Sequence, residues 1–297
     1  MNIRLIATFI FLIVVNSGCV DESKKSIPTF SLAWTLSNGL AQPESVVYDA
    51  KHSRLYVSNV QDHPTKKDGK GYISIVSLEG KLLEKEWVNG LNAPKGMAIV
   101  GDTLYVSDID ALVAIDISKG EVVERYEVAD AKFLNDVTAD KDGNVYISDM
   151  FTNTIHCLCN GKFETWLHDV ELMSPNGLFA EEDHLVVGSW GFPTGGFATT
   201  TAGHLKAVTY ADKKITSLGE DIPVGNLDGV ESDGAGGYYV TDWMAGKLFY
   251  FDADGNAQEL MQLNQGAADH TYLANRNLLL IPMMKDNQLK ALNTDFH

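Results

Sequence analysis

An all-β fold, a six-bladed β-propeller built from four-stranded blades, is what three observations predict for this chain. A short run of apolar and aromatic residues ending in a small or hydroxyl residue recurs six times. No stretch sustains the 3.6-residue apolar period of an amphipathic helix, which a parallel α/β barrel would need between its strands. Twenty-six Gly against eight Pro is the balance of many tight turns rather than of long linkers. With 297 residues, 45% of them hydrophobic, the chain is long enough to bury roughly three-quarters of its unfolded surface.

The chain begins with a segment to be set aside from the fold. Arg4 precedes an apolar run at residues 5–15, and Asn16, Ser17 and Gly18 then lead into Cys19. That run is shorter than the ~20 residues a membrane-spanning helix needs, and small residues before a cysteine resemble a bacterial lipoprotein signal. Asn16 stands where that signal usually carries Leu. Residues 1–18 are therefore expected to be a signal peptide, Cys19 the lipidated N-terminus, and residues 19–28 a polar tether ahead of a propeller over 29–297. The expected location is exported and lipid-anchored, on the periplasmic or cell-surface side of a bacterial membrane.

The six runs are RLYVSN (54–59), TLYVSD (103–108), NVYISD (144–149), LVVGSW (185–190), GYYVTD (237–242) and LLLIPM (278–283). With Ser58, Ser107, Ser148, Gly188, Thr241 and Pro282 as equivalents, the spacings are 49, 41, 40, 53 and 41 residues. That is the period of a propeller blade. Each run follows another short segment and a turn, as in the Asp142-Gly143 hairpin signal, and precedes alternating segments such as 72–76, 111–115 and 247–251. The sixth repeat ends after 288–292 without a fourth strand, while the chain opens on an orphan strand at 30–36. Pairing these two closes the ring and removes both exposed sheet edges.

In such a ring the first strand of each blade lines the central channel, so the residues at their starts meet at one mouth. They are Glu44, Gly96, Asn135, Asn176, Asp228 and Asp269. Five of the six carry a hard oxygen. Carboxylates and amides gathered at one mouth call for a cation among them, and calcium takes six to eight oxygen ligands. Calcium is the expected cofactor, with another divalent metal left open; apart from His270, nitrogen and sulfur donors suited to zinc are absent from the ring. The formal charge of −17 repels a phosphate backbone, so nucleic acid is excluded as a partner, and an acidic surface suits a calcium-rich exterior. Cys157 and Cys159, two residues apart on one strand face, are read as packing residues in a geometry poor for a disulfide.

Residues 42 onward resemble the regucalcin and gluconolactonase (SMP-30/gluconolactonase-like) superfamily of six-bladed calcium-dependent propellers, whose more distant relatives include the paraoxonases and diisopropylfluorophosphatase. The resemblance implies metal ligands at Glu44, at Asn135 followed by Asp136, at Asn176 followed by Gly177, and at Asp228 followed by Gly229. It implies hydrolysis of a lactone or related ester, with Asp228 as the catalytic carboxylate. Asp136, Asp269 and His270 are candidates for a second metal or for support around the first, and no paired histidines like those of the paraoxonases can be placed.

Loops after each second strand rise on the same face and carry large apolar groups, Met150 and Phe151, Trp190 and Phe192, Trp243 and Met244, and Met283 and Met284, among which Phe151, Trp190, Phe192, Trp243 and Met283 stand as substrate-pocket walls. A lipophilic or aromatic ester or lactone is the preferred small-molecule partner, since a sugar lactone would need more polar groups. The membrane enters only through the lipid anchor, and the oligomeric state is left open. The alternative is a non-catalytic propeller lipoprotein that binds a ligand or partner around a structural calcium, since propellers host receptors as readily as enzymes.

Overall fold

Twenty-six strands and no α-helix make up the structure, a computed structural model that describes residues 28–295. Cys19 and the leader lie outside the described residues. Six antiparallel four-stranded sheets form the ring. Strand β1 (Thr29–Leu36) comes first and belongs to the last sheet. Blade 1 holds β2 (Pro43–Asp49), β3 (Arg54–Asn59), β4 (Gly71–Ser77) and β5 (Leu82–Leu91), and blade 2 holds β6 (Pro94–Val100), β7 (Thr103–Asp108), β8 (Ala111–Asp116) and β9 (Glu121–Glu127). Blade 3 holds β10 (Leu134–Ala139), β11 (Val145–Asp149), β12 (Thr154–Cys159) and β13 (Lys162–His168). In blade 4, β14 (Pro175–Ala180) and β15 (His184–Ser189) are followed by a separate hairpin, β16 (Gly191–Gly195) and β17 (Ala198–Ala202), before β18 (Leu205–Thr209) and β19 (Ile215–Ser217) complete the sheet. Blade 5 holds β20 (Leu227–Ser232), β21 (Tyr238–Asp242), β22 (Lys247–Phe251) and β23 (Ala257–Gln262). Blade 6 holds β24 (Thr271–Leu273), β25 (Leu278–Met283) and β26 (Gln288–Asp295), and β1 pairs antiparallel with β26 as its outer strand. The ring is thus closed through the N-terminal strand, as the repeat pattern predicts.

Packing follows the strand order within each blade. Inner strands are buried along most of their length, while the outer strands β9 and β13 are mostly exposed. The apolar side chains collect in clusters between neighbouring blades: Leu55 and Val57 meet Leu280 and Leu289, Tyr56 and Ile73 meet Val106 and Val113, and Tyr239 and Leu248 meet Leu279 and Ile281. No blade could bury its faces alone, so the ring is held by what adjacent blades cover on one another.

The recurring Ser/Thr of the second strand has a definite task. Ser148 Oγ accepts the Asp136 amide at 3.0 Å and donates to Asn176 O of the next blade at 2.8 Å. Thr241 Oγ1 repeats this with the Gly229 amide and Ala268 O, both at 3.0 Å. Each hydroxyl therefore satisfies an inner-strand amide and ties its blade to the next, two buried groups that would otherwise lack partners. The following Asp does similar work: Asp149 accepts the Lys132 and Phe133 amides at 3.0 and 2.9 Å.

One expectation is corrected. Cys157 and Cys159 form a disulfide rather than packing as free thiols. Residues two apart on a strand share a face, and here the strand ends in the Asn160-Gly161 turn, both residues at positive φ. The Cα atoms are 5.4 Å apart, within the span a disulfide bridges.

Candidate metal centre

A backbone irregularity makes the site. In blades 1 to 5 the register between the first and second strands slips at one place: between Pro43 and Val46, Pro94 and Met97, Leu134 and Val137, Pro175 and Leu178, and Leu227 and Val230. Two residues of the inner strand face one of its partner, a β-bulge that re-aims the side chains it contains. The first residue of each bulge is Glu44, Lys95, Asn135, Asn176 and Asp228. All five are at least 95% buried, and all five line one cavity of about 370 Å³.

Four of these side chains supply oxygen. Asn135 Nδ2 donates to Asn176 Oδ1, and Asn176 Nδ2 donates to Asp228 Oδ1 at 2.8 Å and to Leu227 O at 3.3 Å. Among the described residues, Glu44 Oε2 is buried with no hydrogen-bond partner. An orphaned carboxylate oxygen inside a protein costs its full desolvation unless a cation or proton meets it. Burial, first, and then the Asp228 and Asp269 charges hold the Glu44 carboxyl well above the usual range, opposed by Lys95. Burial and Asp269 raise Asp228 in the same way. Two carboxylates and two amides form a hard-oxygen set of the kind calcium takes. Among the described residues no three His, Cys, Asp or Glu side chains gather closely enough to hold a metal by themselves, so the amide oxygens are needed to complete the set.

Beneath this floor lie the three supporting candidates. The Asp136 carboxylate accepts the Val137 amide at 2.7 Å and the Leu178 amide at 2.6 Å, which ties blade 3 to blade 4. Asp269 Oδ2 accepts from Ser45 Oγ at 2.5 Å, and burial pushes its carboxyl up to about 7. Both ring nitrogens of His270 are buried without hydrogen-bond partners among the described residues, and burial pushes the imidazole down to about 3. Glu231, which accepts from Thr271 Oγ1 at 3.1 Å, is raised to about 8 by burial and by Asp269.

The glycines beside the ligands have a packing cause. A Cβ on Gly177 would stand 1.7 Å from Asp228 O, one on Gly96 2.5 Å from Asp136 Cα, and one on Gly229 2.8 Å from Asp269 Cα. Inner strands of adjacent blades approach there too closely for any side chain. Gly177→Ala is accordingly expected to destabilise by about 3 kcal/mol or more, as overpacking against backbone does. A denaturant midpoint unchanged from the wild type would contradict this.

The cavity walls agree only partly with the expected set. Trp190 and Trp243 line the cavity, their rings 6.3 Å apart. Phe151 does not line it; it packs behind Phe133 and Phe197 at 5.0 and 5.6 Å. Phe192 lies on the β16–β17 hairpin, 46% exposed and away from the cavity. Met283 is also corrected: it shares a strand face with Leu279 and Ile281 and points into the core between blades 5 and 6, and of the methionine pair it is Met284 that lines the cavity. Met150 and two unforeseen rings, Phe133 and Phe197, complete the apolar wall. The chain after β15 folds into the β16–β17 hairpin, whose turn carries Phe197; Trp190 Nε1 fastens it by donating to Phe197 O at 2.9 Å.

Lys95, not Gly96, is the blade 2 equivalent of the oxygen-bearing residues, one position earlier than the repeat pattern predicts. The signal was present: Pro43-Glu44, Pro94-Lys95 and Pro175-Asn176 are the same dipeptide position in three repeats, one residue before Gly96.

A six-bladed propeller whose inner-strand bulges gather carboxylate and amide oxygens under an apolar cavity defines the class. The chain belongs to the SMP-30/gluconolactonase/LRE-like family, whose model matches residues 42–272. Similar solved structures include a gluconolactonase from Xanthomonas campestris, 16% identical, with a TM-score of 0.67 over 91% of this chain and 97% of that one. A streptogramin B lyase is 13% identical with a TM-score of 0.63 over 90% of this chain and 98% of that one. A catalytically inactive virginiamycin B lyase from Staphylococcus aureus, with quinupristin, is 14% identical with a TM-score of 0.61 over 89% and 99%. At these identities the likeness is one of fold. No curated protein matches the chain by sequence.

Proposed function

We propose that the chain is a calcium-dependent hydrolase of a lactone or related ester, exported and lipid-anchored through Cys19. The observation that carries this reading is the convergence of Glu44, Asn135, Asn176 and Asp228 on the floor of one apolar-walled cavity, with Glu44 Oε2 left unpartnered. Membership of a family named for a gluconolactonase supports it.

Calcium held by these four side chains would supply positive charge to a carbonyl oxygen and to the oxyanion that forms from it. The chain's own residues do the rest. Asp228 is oriented by the Asn176 amide at Oδ1, which leaves Oδ2 to take a proton from the attacking water. Asn135 fixes Asn176 in turn. Trp190, Trp243, Met150 and Met284 seat the apolar body of the substrate and keep bulk water from the floor. These walls favour a lipophilic or aromatic ester over a sugar lactone.

The test is metal analysis of the purified protein after exposure to calcium, followed by assay of lactones, aryl esters and organophosphates with and without chelator. Chelator-sensitive turnover of a lactone or ester is expected. Stoichiometric calcium with no turnover of any substrate would make the non-catalytic binding propeller the better reading.

Anchoring has its own test. Several acyl chains at roughly 0.8 kcal/mol per buried methylene make release from a bilayer negligible. Cys19→Ser is expected to move the protein into the soluble exported fraction, and unchanged membrane association would contradict lipidation at Cys19.

A further inference from the structure

Among the described residues one cation, Lys95, lies at the floor of the cavity beside the four-oxygen set. Lys95 occupies in blade 2 the bulge position that holds an oxygen donor in blades 1, 3, 4 and 5. It is 1% exposed, lines the cavity, and stands among the largest fully buried side chains. Its Nζ donates to Ala93 O at 3.0 Å and sits 4.5 Å from the centre of the Phe133 ring. Among the described residues no carboxylate forms an ion pair with it, and two of its three protons have no acceptor.

The carboxylates whose charge reaches it are Glu44, a member of the oxygen set itself, Asp108 and Asp149, and none of them bonds to it. Asp108 accepts the Ala93 amide at 2.7 Å and meets Arg125 at 3.4 Å, and Asp149 accepts the Lys132 and Phe133 amides. A buried ammonium with spare donors in an apolar-walled cavity is stabilised fully only when something anionic reaches it. Lysine also cannot ligate a metal while it is charged, so its place in the ring is not that of a missing ligand.

We infer that Lys95 anchors the carboxylate of an amphipathic ligand whose aromatic or alkyl body lies against Phe133, Phe197, Trp190 and Trp243. This deepens the hydrolase reading, and rests on it, only in one respect: hydrolysis of an ester or lactone releases such a carboxylate, which places Lys95 on the acyl side of the scissile bond. Lys285, at the rim over the Trp243 ring at 4.9 Å and bonded to Gln265, is the other cation of the cavity and serves as the control.

The experiment compares phenylbutyrate with its neutral amide at saturating calcium, by calorimetry and by the fluorescence of the cavity tryptophans. Wild type is expected to prefer the anion by about tenfold or more, the order of one hydrogen bond to a charged group. Lys95→Met is expected to lose that preference while still binding the amide and calcium, Lys95→Arg to recover part of it, and Lys285→Met to keep it. Equal binding of the two probes by wild type, or no binding of either at millimolar concentration, overturns the inference. A preference that survives in Lys95→Met overturns it too, and assigns the anion to the metal. Because no turnover is read, failure of every ester assay leaves this test standing, and an active esterase that ignores the probe's charge would sink the Lys95 assignment alone.

Discussion

Asp228→Asn is expected to lower kcat by about a hundredfold or more at saturating calcium, the usual order for losing a general base. The substitution keeps an oxygen and the size of the side chain, so the Asn176 contact at 2.8 Å retains an acceptor and the bulge in β20 is undisturbed. What disappears is the negative charge and the proton-accepting oxygen. Removing a charge that Glu44 and Asp269 oppose also relieves repulsion at the floor, so the fold should be intact by circular dichroism and the metal-free protein no less stable. Calcium binds a site with one charge fewer, and the comparison must therefore be made where calcium is saturating for both proteins. A variant with wild-type turnover under those conditions would reduce Asp228 to a ligand. A variant whose loss is fully restored by more calcium would say the same.

The architecture was legible because a propeller writes its period into the chain. Each blade needs the same second strand, with apolar side chains for the neighbouring blades and a hydroxyl to satisfy an inner-strand amide, so RLYVSN, TLYVSD, NVYISD and GYYVTD look alike. Closure through β1 followed from counting strands. The floor was nearly as legible, since the bulge falls at the same place in five repeats. Lys95 was missed by one position because a glycine beside it resembled the Gly of Asn176-Gly177 and Asp228-Gly229. Those glycines mark close blade contacts, and the functional side chain is the residue before them in every case.

The walls were less legible for a different reason. Loop residues reach a cavity according to chain direction at the end of a strand, which composition does not record. Met283 and Met284 are chemically identical, yet strand alternation buries the first in the core and the turn that follows offers the second to the cavity. Phe192 and Phe197 differ because the intervening chain forms a hairpin whose tip folds back while its first strand faces solvent. The disulfide between Cys157 and Cys159 likewise depends on a local contraction at a strand end.

Calcium should raise the melting temperature, and by more at pH 8 than at pH 5. Ligands from blades 1, 3, 4 and 5 are joined by one ion, so binding to the folded state alone stabilises by mass action: about 2.7 kcal/mol at a hundredfold excess over Kd, or roughly 5 °C for a chain of this size. The pH dependence comes from the carboxyls around the floor. Burial, with mutual repulsion, raises Glu44, Asp136 and Asp228 above their ordinary values, Asp269 to about 7 and Glu231 to about 8. A carboxyl raised in the folded state holds its proton there and not in the unfolded chain, where it ionises near 4. The stability it contributes is fully present below that unfolded value and is lost as pH rises through the folded one. The metal-free protein should therefore weaken steadily between about pH 4 and 8. His270, pushed down to about 3, opposes this decline below the unfolded histidine value near 6.5, but as one group against five carboxyls it does not reverse it; among the described residues Lys95, lowered by burial but held up by Glu44, Asp108 and Asp149, is the cation facing the cluster. Bound calcium takes the place of the protons, so it removes most of the decline, and the gap between calcium and chelator curves should widen with pH. Melting curves at several pH values, in calcium and in chelator, decide the matter: a gap that stays constant, or that is widest at pH 5, would mean that these carboxyls do not share the ion.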